Sequence, residues 1–429
     1  MQQNERYVSI RILNDIDRNG TFSGDAIDNA LRKEQFSDKR ERAFVTRLTE
    51  GTIEKRLTID YIIDRFSKIK SSKLKPLIRN ALRTGIYQIF YMDSVPPSAA
   101  VSEAVNIVKA HGMKNLAGYV NAVLRNVLRN KEELEKEISS DICLRYSVPK
   151  WLFEYLADNY GEEAAENLLA DSESDRPTTI RVNTPLITVN EFSEMLKAQE
   201  IKASPGHYSQ NALLIEDYDF IRKIKGFKEG YFTVQDESGM AAVEALDIKK
   251  GAVVFDLCAA PGGKSLYASI FAGENGIIKS FDISEVKTEL IEENAERLKA
   301  SNIHVEVKDA LTFDPDMADS ADYVIADVPC TGLGVMGRKN DIKYRVKPED
   351  IGILAEQAVL ILENAGRYLK AGGRIMYSTC TVTKEENGQT VDRFMEKHPG
   401  YKKIAEKQFL QGIDKCDGFY YCIMEKQYG

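Results

Sequence analysis

Apolar residues in the first third of the chain recur every three or four positions. Val8, Ile12, Leu13 and Ile16 form one stripe; Leu74, Leu77, Ile78, Leu82, Ile86, Ile89 and Phe90 form a second; Leu116, Tyr119, Val120, Val123, Leu124, Val127 and Leu128 form a third. That spacing predicts amphipathic helices, and several of them together predict a bundle. Pro96-Pro97 predicts a loop within it. The acidic stretch from Lys131 to Glu137 predicts the end of this domain near residue 140, followed by an exposed linker. Residues 141–235 read as a small α/β domain, with a helical pattern from Leu152 to Leu169 and strand-like runs at Thr179–Asn183 and Ala212–Ile215. From 236 to 429 short β-rich runs alternate with helical patterns, at Val253–Phe255, Ile277–Phe281, His304–Val307, Tyr323–Ile325 and Arg374–Tyr377. Such alternation predicts a doubly wound parallel sheet, whose ligands bind outside the carboxyl ends of the strands.

Composition narrows the classes. At 43% hydrophobic and 29% charged the chain is an ordinary globular one, and no apolar run approaches the roughly 18 residues of a membrane span. The opening MQQNERYVSI lacks the apolar core of a signal peptide, so the expectation is a cytoplasmic protein without membrane attachment. Six cysteines without a CxxC pair predict reduced thiols and no metal site. A net charge of -8 argues against a nucleic-acid partner until it is divided along the chain. Residues 1–140 carry 24 Lys+Arg against 18 Asp+Glu, so they are basic while the remainder is strongly acidic. Arg125 and Arg129 flank the third apolar stripe, where they can meet phosphate.

The strand ends carry the chemistry. After the first strand of the last domain comes Asp256-Leu257-Cys258-Ala259-Ala260-Pro261-Gly262-Gly263-Lys264-Ser265, a small-residue turn that lets backbone approach a ligand. It ends like a phosphate loop, but Cys258 stands at the first glycine position, which counts against a nucleotide triphosphatase. Asp282 ends the second strand, where a carboxylate can accept ribose hydroxyls; Asp309, after the third, can take an adenine amino group. The fourth strand ends in Asp327-Val328-Pro329-Cys330 and the fifth in Ser378-Thr379-Cys380-Thr381, so two cysteines leave the same edge.

Methylation of cytosine at C5 needs such a set. That carbon is too weak a nucleophile until a thiolate adds at C6 and an acid or hydrogen-bond partner meets N3, and a base must later take the C5 proton. Cys380, Cys330 and Asp327 can fill these roles, and the residues do not say which cysteine attacks. A thiol of pKa roughly 8.5 also needs an electropositive setting. Thr383 to Glu386 fits a capping box, which predicts a helix N-terminus just beyond Cys380.

DLCAAPGGKS, ADVPCTGLG and YSTCT resemble the cofactor loop and the two cysteine motifs of the RsmB (Fmu/Sun) type of 16S ribosomal RNA cytosine-5 methyltransferase. PLIRNALRTGIYQIFYMDSVPPSAAVSEAVNIVKAHG and YVNAVLRNVLRN are similar to the RNA-binding NusB domain, so the resemblance covers nearly the whole chain. It implies an all-α NusB-like bundle, a small RRM- or ferredoxin-like connecting domain and a Rossmann-like class I methyltransferase domain. It implies that Cys258 to Lys264, Asp282, Asp309 and Asp327 bind S-adenosylmethionine, that Cys380 attacks C6 and that Cys330 promotes product release. The implied partner is small-subunit ribosomal RNA before or during assembly; transfer RNA, another RNA, or an inert RNA-binding factor are the alternatives. Arg181-Val182-Asn183, Val234 to Ser238 and Asp417 to Tyr420 resemble flanking motifs, and Arg181, Arg338, Lys339 and Lys343 join the RNA-contact candidates. Where the family has two arginines and a proline before an Asp, this chain reads Gly337-Arg338-Lys339-Asn340-Asp341, so a contact by the first arginine does not carry over.

Overall fold

The computed structural model describes residues 4–34 and 39–428 and divides into two compact units, Met1–Glu173 with Met336–Arg345, and Ser174–Val335 with Val346–Gly429. The first is helical. Asn4 caps the helix Glu5–Asn19 by accepting from the Tyr7 amide, and Gly20, at φ 67°, closes it in the left-handed conformation that glycine adopts without a Cβ penalty. The second and third apolar stripes become the helices Pro76–Tyr91 and Ala117–Arg129, whose Ile78, Leu82, Ile86, Val120, Val123 and Leu124 share one core. Burying each such side chain contributes about 1.5–3 kcal/mol.

Two local expectations give way here. Pro97 starts the helix Pro97–Ala110, because at the first helical position a fixed φ and a missing N–H cost little. The acidic stretch lies in the helix Lys131–Ser140, whose Leu134 is fully buried while Glu133 and Glu137 pair with Arg65, so no exposed linker follows the third stripe. Thr58 then donates to Leu144 O at 2.5 Å, and the chain continues packing through the helices Lys150–Tyr160 and Glu162–Ser172.

The segment Met336–Arg345 belongs to this helical unit despite its place in the sequence. Asp341 accepts from the Ser23 amide and hydroxyl, and Arg345 donates to the Gly20 and Thr21 carbonyls. Tyr344 donates to Glu54 O and Ser147 O, with the Arg56 guanidinium 4.3 Å from its ring centre.

The second unit holds two sheets. β1 (Thr178–Val182), β2 (Lys202–Pro205), β3 (Ala212–Glu216) and β4 (Phe232–Val234) form an antiparallel sheet in the order β2-β3-β1-β4. The helix Val189–Lys197, opened by a Thr188/Glu191 capping box, lays Phe192 and Leu196 on its apolar face. The larger sheet comprises β5 (Val253–Asp256), β6 (Ile277–Asp282), β7 (Ile303–Val307), β8 (Ala321–Asp327), β9 (Leu369–Thr379), β10 (Tyr401–Phe409) and β11 (Phe419–Lys426). Its order is β10-β11-β9-β8-β5-β6-β7, with β5 to β9 parallel. The last two strands run antiparallel to their neighbours, so the sheet is mixed where the sequence predicts a parallel one. Winding reverses between β5 and β8, which opens a crevice at their carboxyl ends. No helix among the described residues is long and apolar enough to cross a membrane.

Candidate active site

The turn after β5 is built to hold backbone close to a ligand. Gly262 stands at φ 100°, and the helix Gly263–Ala272 starts directly after it. Asp256, 1% exposed at the end of β5, accepts from Ser265 at 2.6 Å, and Ser280 donates to Ser265 at 2.8 Å. Burial pushes the Asp256 carboxyl up to about 7, and its second oxygen is buried without a hydrogen-bond partner. Asp282 holds the turn from the next strand by accepting from the Ala260 amide at 3.0 Å, and it pairs with Lys287.

Lys264 leaves this turn toward β8. Its ammonium lies 2.6 Å from Asp327 Oδ2 and 5.2 Å from the centre of the Phe419 ring. Burial opposes that charge, yet Asp327, Asp256 and Cys380 together hold the Lys264 pKa above its ordinary value. Asp327 Oδ1 accepts from Ser378 Oγ at 2.7 Å, so both oxygens are engaged. Two residues beyond Ser378, Cys380 Sγ lies 3.4 Å from Cys330 Sγ. The Cys330 thiol is pushed well up, first by its contact with Cys380, then by burial and the charges of Cys380, Glu386 and Asp327.

Glycines bring the loops together. Gly334 donates to Cys380 O at 3.0 Å and accepts from the Gly418 amide at 2.9 Å; a Cβ on Gly334 would come within 2.0 Å of Gly418 O. No side chain fits there. A cavity of about 230 Å³ opens beside this cluster, lined by Asp256, Cys258 to Pro261, Gly263, Lys264, Asp327, Cys380 and Phe419.

Asp256, Cys258–Lys264, Asp327, Cys330 and Cys380 therefore converge on one crevice. Asp309 lies two residues beyond β7, where its carboxylate accepts from the Leu311 amide, and it does not line the cavity. The capping box expected at Thr383–Glu386 does not form. The helix there starts at Gly388, because the Glu386 carboxylate is taken by the Thr331 amide and hydroxyl from a distant loop. Ser378 and Gly334 stand inside YSTCT and ADVPCTGLG, but the sequence assigns them no role: holding Asp327 and admitting the Gly418 backbone are seen only in the structure.

Two RNA-contact candidates are interior. Arg181 is 2% exposed, donates to Gln235 at 2.7 Å and stacks over Tyr267, with burial and Arg297 pushing its pKa down to about 10. Lys343 is 3% exposed and donates to Tyr146 O at 2.9 Å. Neither side chain is exposed to meet a phosphate. Arg125, Arg129, Arg338 and Lys339 are exposed. Among the described residues no group of three or more His, Cys, Asp or Glu side chains could hold a metal ion.

Comparison with known proteins finds relatives for each part of the chain. Residues 243–421 match the model of the family 16S rRNA methyltransferase RsmB/F, residues 3–129 that of the NusB family, and residues 148–219 the ferredoxin-like domain of RsmF/B-like methyltransferases. The chain is 32% identical to the probable ribosomal RNA small subunit methyltransferase B of Bacillus subtilis (strain 168), over 98% of each chain. It is 30% identical to the ribosomal RNA small subunit methyltransferase B of Vibrio cholerae, over 94% of each. Among solved structures it is similar in fold to PH0851 (TM-score 0.84, 24% identity, 99% of this chain and 100% of that one). It is also similar in fold to NSun6 from Pyrococcus horikoshii (TM-score 0.60, 22% identity, 66% and 99%).

Proposed function

Because the chain belongs to the RsmB/F family of 16S ribosomal RNA methyltransferases, which depend on S-adenosylmethionine, we propose that it methylates C5 of a cytosine through a covalent Cys380–C6 adduct. The observation that carries this reading is the 3.4 Å approach of two sulfurs from neighbouring strand ends, beside an Asp327 already engaged by Lys264 and Ser378. Sulfurs buried in separate apolar interiors could not act on one ring.

The residues fit the cofactor. The cavity lies against the turn Cys258–Pro261, and the unpartnered oxygen of Asp256 marks its floor as polar. Cys258 to Lys264, Asp282 and Asp327 would hold S-adenosylmethionine, which supplies an electrophilic methyl group on a sulfonium; Asp309, outside the cavity lining, would join them only at its edge. The chain supplies the rest. Cys380 Sγ adds to C6, opening the C5–C6 double bond so that its electron pair makes C5 nucleophilic. Asp327 meets the N3 edge, where charge develops. After transfer the C5 proton leaves to a base, its electron pair restores the double bond, and the Cys380–C6 bond breaks with sulfur leaving as thiolate. Cys330, next to that sulfur, promotes release.

The target base must leave its stack, which costs a few kcal/mol in a duplex and less in a loop. A loop cytosine of bare or partly assembled small-subunit RNA, in the cytoplasm, is therefore the substrate. The helical unit, with its basic N-terminal sequence, serves as the RNA-holding part.

Trapping on small-subunit RNA containing 5-azacytidine tests the assignment. Cys380→Ala abolishes the covalent adduct, while Cys330→Ala still forms one and accumulates it on ordinary RNA. The opposite pattern exchanges the two roles, and incorporation of methyl groups into transfer RNA instead of ribosomal RNA moves the substrate.

A further inference from the structure

The two cysteines lie in contact, yet the proposed chemistry needs them to differ. Their neighbours provide the difference. Cys330 is followed by Thr331, whose amide donates to Glu386 Oε1 at 2.8 Å and whose hydroxyl donates to Glu386 Oε2 at 2.7 Å. Thr383 donates to the same carboxylate, and the Tyr377 hydroxyl donates to the Glu386 carbonyl. Thr331 and Thr381 hydroxyls meet at 2.7 Å, so the residues that follow each cysteine are tied to one another. Glu386 is 1% exposed. A carboxylate so buried is costly unless its oxygens are met by donors, and here the Thr331 amide and the Thr331 and Thr383 hydroxyls meet them.

We propose, on the reading of the site given above, that Glu386 is the positioning residue that sets the cysteines apart: its carboxylate fixes the backbone beside Cys330, places a negative charge there, and leaves Cys380 to attack. The charges facing each sulfur support this. Cys330 is acted on by Cys380, Glu386 and Asp327, all of which disfavour a second negative charge. Cys380 shares the cavity with Lys264, whose positive charge it stabilises in turn. Burial pushes the Glu386 carboxyl up and Glu385 adds to this, while Thr383 and Thr331 pull it back by hydrogen bonding. Tyr377, also beside this cluster, is pushed well up, chiefly by burial.

Glu386→Gln keeps the shape and removes the charge. Alkylation of the full-length protein by iodoacetamide across pH 6–10, with Cys330 and Cys380 peptides followed by mass spectrometry, reads the two thiols separately. In wild type the Cys380 peptide is modified at lower pH than the Cys330 peptide. In Glu386→Gln the Cys330 rate at pH 8 rises about tenfold, the effect of one pH unit, while the Cys380 rate holds. Glu386→Asp, which keeps the charge, restores the wild-type order. A Glu386→Gln protein that loses methyl transfer with both alkylation profiles unmoved makes Glu386 a structural prop and overturns the proposal, as does a shift of equal size at both cysteines. Should Glu386→Gln not fold, Thr331→Val removes the hydroxyl tie: a Cys330 alkylation profile that moves while the Cys380 profile holds supports the positioning role, and two unmoved profiles overturn it. These profiles need no RNA, so they stand apart from the azacytidine result that decides the function itself.

Discussion

Two lysines, one in each unit, are drawn out of solvent, Lys264 partly and Lys343 almost wholly, and behave in opposite ways. Lys264 meets Asp327 at 2.6 Å, and that carboxylate, with Asp256 and Cys380, outweighs burial and holds the ammonium above its ordinary pKa. Lys343 offers its ammonium to a backbone carbonyl, Tyr146 O, and burial lowers its pKa to about 8 although Glu173 and Glu54 act against the shift. A cation drawn out of water holds its proton more firmly where a carboxylate faces it than where only a carbonyl does. At the crevice that charge faces the proposed reaction. In the helical unit Lys343 sits two residues from Asp341 and next to Tyr344, in a segment held by hydrogen bonds, and its charge has no evident chemical task.

The largest expected effect comes from breaking the charged member of the pair. Asp327→Asn leaves a similar shape but removes the charge that Lys264 faces and the carboxyl group proposed to meet N3. Methyl transfer to small-subunit RNA should fall by about 10²–10³ in kcat, the range for loss of one preorganised electrostatic group. A single-turnover rate within tenfold of wild type would remove Asp327 from the catalytic set. The control is thermal denaturation, which separates lost chemistry from lost fold.

What could be read in advance follows the same division between local and distant causes. The stripes that became the cores around Val123 and Leu124, and the runs that became β5, β6, β7, β8 and β9, are local periodicities, and the chain alone specifies them. The convergence of Cys330 and Cys380 was legible too, because parallel strands deliver their ends to one edge. Lys343 was not legible: no local pattern shows that residues 336–345 fold with helices some 200–300 positions earlier. Glu386 sits in a correct local pattern for a capping box, yet Thr331, 55 residues away, takes its carboxylate. Arg181 lies on a strand with buried residues on both faces, so a surface reading of its charge fails. β10 alternates in exposure but not in residue type, since Ile404 faces out while Lys403 is half-buried, so no period-two signal marked it in the sequence.

A smaller effect should follow from removing the weakly supported cation. The folded pKa of Lys343, about 8, lies below the ordinary 10.5, so between these values the unfolded chain binds more protons. The penalty is therefore fully present below pH 8 and vanishes as pH rises through 10.5. Lys343→Met should raise stability at pH 7 by about 1–3 kcal/mol, less than the full shift implies because Tyr146 O loses its donor. Denaturation midpoints at pH 7, 8, 9 and 10 check this: the gap between variant and wild type should close with rising pH, and a gap constant with pH would show that Lys343 carries no titrating penalty.

The comparison sharpens with a third kind of cation, one left in water. Arg125 and Arg129 are exposed on the helix Ala117–Arg129, and Arg125 spends one nitrogen on Asn121 at 3.0 Å. Their charge costs no desolvation, so removing it should leave stability within about 0.5 kcal/mol. If they meet phosphate, each contact contributes about 0.7–0.9 to the slope of log affinity against log salt. Arg125→Gln with Arg129→Gln should therefore weaken RNA binding a few-fold at moderate salt and reduce that slope by about 1.4–1.8. Filter binding of small-subunit RNA fragments across a salt series reads both quantities. An unchanged slope would mean that the exposed arginines are solvated charge, and that the basic excess of the N-terminal sequence is met elsewhere on its surface.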